Sequence, residues 1–436
     1  MRNSATARLV VMFLLTSALL IPIAWVQIIV SERASRRDVA AAEIGATWGG
    51  PQLVAGPVLA VPYALTASDG NTRRAVCRAM FLPKDLRVEG TLRAETRSRG
   101  IFDVIVYHAQ LKVSGRFLRP DPNEIPSDAI DWSHATVSVG VSDPRGLTRR
   151  TTLKWNGEDV PFTSGVADVG LFTSGLQAAV PALDRLQAAE VPFELTLDLN
   201  GTRDLRFVPN AGETTVALDA AWPHPSFSGK ALPETRQVSG DGFTARWQVQ
   251  DFGRPFPARW KSNEINRDQL AQRANESAFG LALVQPVDIY QQAERAVKYA
   301  VLFVSLTFLV FFLWEVFHAV LLHPMQYAFI GFALCIFYLL LVSLSEHAGF
   351  DVAYAASSSV TTLLIAAYAC SVLGGLRQGL SVCAALTTLY GFLYLLLRLE
   401  DYALLAGSVG LFLILAVVMY ITRRMNWYEL KLGAAS

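Results

Sequence analysis

Two apolar runs separated by a four-residue break constrain this chain more than anything else in it. Val301 to Leu322 and Tyr327 to Leu344 flank His323-Pro324-Met325-Gln326. Each run approaches the ~20 apolar residues that an α-helix needs to cross a ~30 Å hydrocarbon core, so the pair reads as a membrane hairpin. Leu9 to Val30, Val352 to Leu373, Leu380 to Leu397 and Ala403 to Ile421 have the same character. Six spanning helices are therefore expected, one N-terminal and five C-terminal. Leu9 to Val30 reads as an uncleaved anchor, because it exceeds the ~7–15 apolar residues of a signal peptide and leads into Ser31-Glu32-Arg33, not a small-residue cleavage site.

Only 17% of the residues are charged, against ~25% in soluble domains, and the charges that remain concentrate between the first run and the other five. That region alternates with period two. Leu86, Val88, Gly90, Leu92 and Ala94 interleave with charged and polar residues, as do Leu111 to Phe117, Val137 to Val141, Phe193 to Leu199 and Phe243 to Val249. Such segments are half-buried strands. Asp143-Pro144-Arg145-Gly146, Asn156-Gly157, Asn200-Gly201 and Asp241-Gly242 read as the turns between strands. The expected fold is an α+β membrane protein, a six-helix transmembrane bundle carrying a large, mainly antiparallel β extracytoplasmic domain, as a sandwich or a large twisted sheet.

The expected boundaries are a transmembrane anchor at 1–30, a β-rich domain with helical stalks at 31–296, five transmembrane helices at 297–422 and a short tail at 423–436. Ser31 to Trp48 continues the first helix up to Gly49-Gly50-Pro51, Asn263 to Ala278 reads as a peripheral helix, and a helix opening at Pro286 and Asp288 is expected to run straight into Val301.

Charge near helix ends sets orientation. With a cytoplasmic N-terminus, the inner ends carry Arg2, Arg8, Arg377, Arg423, Arg424 and Lys431, while the outer loops carry Arg398 with Glu346, Asp351, Glu400 and Asp401. Arg33, Arg36 and Arg37 lie on the outer side and oppose this reading. A translocated domain of such size is largely exempt from the rule, so both termini are expected inside and the domain outside.

Few residues suggest chemistry. Glu315 and His318 lie three apart on one helical face, and an ionisable pair within a membrane is a candidate functional site, here a proton relay. The plainer alternative is that both rest at headgroup level or form an interhelical hydrogen bond. Glu-x-x-His is also half of a di-metal motif, but no second copy exists. His323 reads as a turn residue and Glu346-His347 as a helix boundary. Trp222-Pro223-His224-Pro225-Ser226-Phe227 holds a histidine between two prolines, which suits either an interaction loop built on Trp222, His224 and Phe227 or a rigid connection between sheets.

Cys335, Cys370 and Cys383 fall in apolar runs and leave Cys77 alone in the polar region, so no disulfide can form there. The sequence contains no nucleophile elbow, His-Glu-x-x-His, phosphate loop or dinucleotide fingerprint. No catalytic, cofactor or metal residue is assigned. A net charge of +1 without a basic stripe gives no support to nucleic-acid binding.

Several strings resemble those of the CreD family of bacterial inner-membrane proteins: Gly56-Pro57-Val58-Leu59-Ala60-Val61-Pro62-Tyr63, Ser142-Asp143-Pro144-Arg145-Gly146-Leu147 and Trp222 to Phe227. Arg295 to Ala300, His323 to Tyr327 and Ser343 to Phe350 do so as well. The resemblance runs in order over nearly the whole chain. It implies a multi-pass Gram-negative inner-membrane protein tied to cell-envelope integrity and stress response, in a regulon under a two-component system, with altered colicin tolerance as a family phenotype. It implies no defined reaction or catalytic residue.

The leading expectation is thus a non-enzymatic envelope protein whose periplasmic β domain binds or senses an envelope component. Its partners would be the lipid bilayer and an envelope protein or lipid. The alternative is a transporter or lipid-handling protein using Glu315 and His318. An enzyme acting on lipid or peptidoglycan is a third reading, for which the sequence offers no nucleophile, base and metal together.

Overall fold

The computed structural model describes residues 5–66, 74–125, 130–181, 183, 188–285, 289–318, 322–399 and 402–423. Two compact units emerge: Arg37–Pro286, and Met1–Arg36 together with Val287–Ser436. The first is narrower than the expected 31–296. Residues on both flanks pack with the helices: Arg33 reaches Glu346, and Ala293, Ala296 and Val297 belong to the helical core.

Numbered along the chain, the strands are β1 (Gln52–Thr66), β2 (Arg74–Phe81), β3 (Asp85–Arg99), β4 (Phe102–Leu118), β5 (Thr136–Val141), β6 (Thr152–Trp155), β7 (Glu158–Pro161), β8 (Thr163–Ser164) and β9 (Gly175–Ala179). They continue as β10 (Glu190–Thr202), β11 (Asp204–Phe207), β12 (Glu213–Ala220), β13 (Pro225–Gly229), β14 (Thr235–Val238), β15 (Phe243–Gln250), β16 (Arg259–Lys261) and β17 (Phe279–Leu283). An eight-stranded sheet has the order β14-β15-β12-β3-β4-β10-β6-β7. A nine-stranded sheet follows β13-β17-β11-β1-β5-β9-β8, with β2 and β16 branching from β1. Among the described residues every pairing is antiparallel except β1 with β11 and β3 with β12.

Inward-facing residues of both sheets form one buried cluster, Leu59, Val137 and Phe279 from one and Val113, Leu195 and Trp247 from the other. This makes the unit a β-sandwich. The eight-stranded sheet keeps its outer face wet, which is why β3, β4 and β10 alternate so clearly. β1 does not alternate, because both its faces are covered. Leu59 and Val61 face the sandwich core, while Val58 and Ala60 join a second cluster with Met80, Trp260, Leu270 and Ala274. Helix α2 (Arg267–Glu276), the peripheral helix expected here, supplies part of that cover, and its N-cap Asn266 accepts a hydrogen bond from Gln269 N at 3.2 Å.

One expected turn is a correction. Asn200-Gly201 lies inside β10, paired with His108 and Tyr107 of β4. Glycine serves close approach here, since a Cβ on Gly201 would sit 2.3 Å from the Tyr107 hydroxyl oxygen. The chain turns at Arg203, whose φ is 60°. Asn156-Gly157 does close a hairpin, β6 to β7, with φ of 48° and 91°.

Among the described residues, six helices are long and apolar enough to cross a membrane. They are α1 (Ala5–Trp48), whose last turns belong to the sandwich unit, then α4 (Ala300–His318), α5 (Pro324–Ala348), α6 (Phe350–Val372), α7 (Leu376–Arg398) and α8 (Ala403–Thr422). A shorter α3 (Ile289–Lys298) precedes α4; its expected start at Pro286 and Asp288 lies outside the described residues, as do Arg2, Glu400, Asp401, Arg424, Lys431 and the tail beyond Arg423. The expected continuity of α3 with α4 is broken at Tyr299, whose N–H is shared between the carbonyls of Arg295 and Ala296. Such a three-centre bond tightens one turn and ends a helix locally.

Gly331 of α5 sets the distance to α1, since a Cβ there would fall 2.2 Å from Leu19 Cδ1. Gly331→Val forces these buried side chains apart. It is expected to cost about 1–3 kcal/mol, read as a lower thermal midpoint of the detergent-solubilised protein.

Candidate functional site

In the helical unit ionisable side chains form bonded groups at two ends of the bundle. At one end, Glu315 is fully buried on α4. Its Oε1 accepts from Leu322 N at 3.0 Å and its Oε2 from the Tyr327 hydroxyl of α5 at 3.0 Å. The next residues cap α5: His323 Nδ1 accepts from Met325 N at 3.2 Å, and Gln326 Oε1 accepts from His323 N at 2.8 Å. Pro324 follows His323 at the first helical position, where a missing N–H costs nothing. The carboxyl thus ties α4 to the start of α5 by accepting from two buried donors, the N–H of Leu322 and the hydroxyl of Tyr327.

His318 does not share that environment. It is exposed, its ring stacks on Trp314 at 3.5 Å between centroids, and its Nδ1 lies 3.2 Å from the Trp314 carbonyl oxygen. Three-residue spacing put the two residues on one helical face, but packing buried only Glu315.

At the other end, Glu346 accepts a hydrogen bond from Tyr290 at 3.0 Å and approaches Arg33 Nε to 3.7 Å. Beside the α5–α6 connection, Arg398 Nη2 donates to Asp351 Oδ2 at 2.5 Å, and the Tyr394 hydroxyl donates to Asp351 Oδ1 at 3.1 Å.

In the sandwich unit, a turn grips the end of α1. The carboxylate of Asp143 accepts from Gly50 N at 2.9 Å, from Arg145 N at 3.1 Å, and from Arg145 Nε and Nη2 at 2.8 and 2.9 Å. Arg145 Nη1 in turn donates to the carbonyl of Ala46 at 2.9 Å, satisfying one of the acceptors left open at a helix C-terminus. The Arg145 guanidinium and the Gly50 amide hold the Asp143 carboxyl below the usual carboxylate range. Gly49 follows at φ 123°, where a Cβ would come within 2.6 Å of Asn200 O.

Trp222 and Phe227 serve packing. Trp222 Nε1 donates to Val284 O at 3.2 Å, and Phe227 packs edge-on against Phe243 and Trp247 with centroids 5.9 and 5.7 Å away. The segment carries the chain from β12 in one sheet to β13 in the other. Only His224 of the three residues is exposed. Phe227→Ala is expected to destabilise the protein by about 2–4 kcal/mol, measured as a lower thermal midpoint.

The wet face of the eight-stranded sheet forms an open trough of about 690 Å³. Register aligns Arg246, Ala217, Glu89 and Lys112 across β15, β12, β3 and β4. Neighbouring strands lie about 5 Å apart, so Glu89 stands one strand from Lys112 and about 10 Å from Arg246. The short Ala217 leaves the floor open between them, and Asp219, Thr91 and Gln110 form the adjacent row. Among the described residues, Glu89, Asp219 and Arg246 have no ion pair or side-chain hydrogen bond. Lys112 pairs with Glu194 at 3.3 Å. Also among the described residues, no three His, Cys, Asp or Glu side chains are grouped to hold a metal.

A model of the family described as inner membrane protein CreD matches residues 4–428. The chain belongs to the CreD family. A relative named inner membrane protein CreD, from Escherichia coli (strain K12), is 34% identical over 420 residues, covering 95% of this chain and 92% of that protein. With six apolar helices and this membership, the chain is an inner-membrane protein. The strings resembling the family fall at structural junctions: β1 at the doubly covered sheet centre, Ser142 to Leu147 at the grip on α1, Trp222 to Phe227 at the sheet crossing, Arg295 to Ala300 at the α3–α4 break, and His323 to Tyr327 at the α5 cap.

Proposed function

We propose that this CreD-family chain is a non-enzymatic inner-membrane protein supporting cell-envelope integrity and the response to envelope stress. Both termini are cytoplasmic, and the sandwich lies in the periplasm, where its trough binds or senses an envelope component. The observation that carries the reading is the trough: charges of both signs on one concave wet face, three of them without partners. A polar polymer, lipid headgroup or envelope protein would meet them there without displacing internal ion pairs.

The orientation draws support from charge. Arg377, at the α6–α7 connection, is exposed and unpaired among the described residues, whereas Arg33 faces Glu346 and Arg36 bonds Glu32 at 2.7 Å. Arg377 lies at the end that carries the His323 turn, which supports that end being cytoplasmic.

The variant Glu89→Ala, Asp219→Ala, Arg246→Ala is expected to insert at the wild-type level yet fail to restore detergent resistance to a deletion strain. Full restoration removes the trough from the reading. A deletion strain as detergent-resistant as its parent removes the envelope role itself. A second reading, transport or lipid handling through Glu315 and His318, rests on the complete burial of Glu315.

A further inference from the structure

The interior of the helical unit contains a polar seam with no role in the hairpin closure or in the trough. α6 turns apolar residues to the outside of the bundle and several polar ones to the inside, as a bilayer requires. Its apolar Val352, Val360, Leu363 and Leu364 are exposed, while Tyr354, Ser357, Thr361 and Thr362 are buried along one stripe at helical spacing. Facing that stripe are Tyr338 of α5 and Tyr390 of α7, gathered around Phe337, whose ring centroid lies 4.8 Å from Tyr338, 5.7 Å from Tyr354 and 4.8 Å from Tyr390.

The hydroxyls of Tyr338 and Ser357 are buried and lack a hydrogen-bond partner among the described residues, and the buried hydroxyl of Tyr390 has only that of Thr361 beside it. Tyr338, Ser357 and Tyr390 are only 1%, 1% and 3% exposed. Ser357 differs from several hydroxyl residues elsewhere in the bundle. Ser305, Thr307, Ser345 and Thr388 each donate back to a carbonyl of their own helix. That self-satisfaction is open to any helical serine or threonine in a bilayer, so a serine that does not use it leaves its oxygen for something else. Hydrocarbon supplies no partner, and an unmet polar group within it is costly.

We propose that this seam is a hydration site, holding water inside the bundle. A buried water makes about three hydrogen bonds, and three neutral hydroxyls that both donate and accept are offered here on three helices. No charged side chain is among them, so the site suits a neutral hydrogen-bonding molecule of water's size and not an ion. Polar contacts continue from it to the bundle end. The Tyr354 hydroxyl donates to Tyr390 O at 2.7 Å, the Tyr354 ring lies 5.3 Å from that of Tyr394, and Tyr394 bonds Asp351, which is itself half exposed.

Two measurements on the full-length protein test this. In a background with Cys335, Cys370 and Cys383 replaced by alanine, Ser357→Cys in native membranes is exposed to a small water-soluble methanethiosulfonate, with Val304→Cys as the control in the fully buried apolar part of α4. Only a thiolate reacts, and an apolar setting suppresses its formation, so hydration predicts at least about tenfold faster modification of Ser357→Cys. Separately, Tyr390→Phe removes one partner of the bound water and lowers the thermal midpoint, whereas deleting a hydroxyl from a dry seam raises it. Equal protection of the two thiols overturns the proposal, and so does a raised midpoint for Tyr390→Phe.

Discussion

Glu315→Ala is expected to lower the stability of the detergent-solubilised protein by about 2–5 kcal/mol. The substitution removes the acceptor of two buried hydrogen bonds, from the N–H of Leu322 and the hydroxyl of Tyr327, and losing the partner of a buried donor costs about 1–3 kcal/mol. The side chain it removes is fully buried, so solvent cannot compensate. Tyr327→Phe should cost less, because it removes only one of the two hydrogen bonds. Combining the two substitutions should cost less than the sum, since the second removes a partner already lost. Glu315→Gln separates structure from transport. It keeps an acceptor for one donor, so a hairpin closure predicts near-normal function at reduced stability. A protonatable carboxyl in a transport cycle predicts abolished function at a normal protein level.

Asp143→Ala is expected to cost about 2–4 kcal/mol, because charge-assisted hydrogen bonds are roughly twice as strong as neutral ones and one carboxylate here takes four donors. For a unit of this size that is a fall of about 5–12 °C in thermal midpoint. The effect has a pH signature. The Asp143 carboxyl titrates below its ordinary value of 3.8 in the folded protein, so its stabilisation is fully present above the unfolded value and is lost as pH falls through the folded one. The stability gap between wild type and Asp143→Asn should hold from pH 7 to about 5 and shrink progressively as the pH falls below the ordinary value of 3.8 towards the lower folded one. A gap independent of pH would mean that the carboxylate charge plays no part in the grip on α1.

Legibility followed burial. Strands with one wet face announced themselves: β3, β4 and β10 alternate because the outer side of their sheet meets solvent. β1 gave no period because it is covered on both sides, and it stood out only through the string Gly56 to Tyr63. Asn200-Gly201 misled because a glycine required for close approach to Tyr107 looks the same in sequence as one required for a turn.

The candidate sites were harder still. Asp143-Pro144-Arg145-Gly146 reads as a turn and is a short 3-10 turn, but its partner Gly50 lies 93 residues away. Tyr327 as the partner of Glu315 had a usable signal, since a hairpin sets the last turn of one helix beside the first turn of the next. The trough had none, because its rows exist only once five or six strands are in register.

The orientation of the sandwich decides whether its trough can meet the envelope, and thiol labelling reads it directly. On a background with the four native cysteines replaced, Phe252→Cys places a thiol at a site 96% exposed on the sandwich, and Met325→Cys places one at a site 53% exposed in the α4–α5 turn. A periplasmic sandwich predicts that a membrane-impermeant maleimide labels Phe252→Cys in intact cells and Met325→Cys only after the inner membrane is opened. Labelling of Met325→Cys in intact cells, with Phe252→Cys protected until lysis, would place the trough in the cytoplasm and contradict the proposed function.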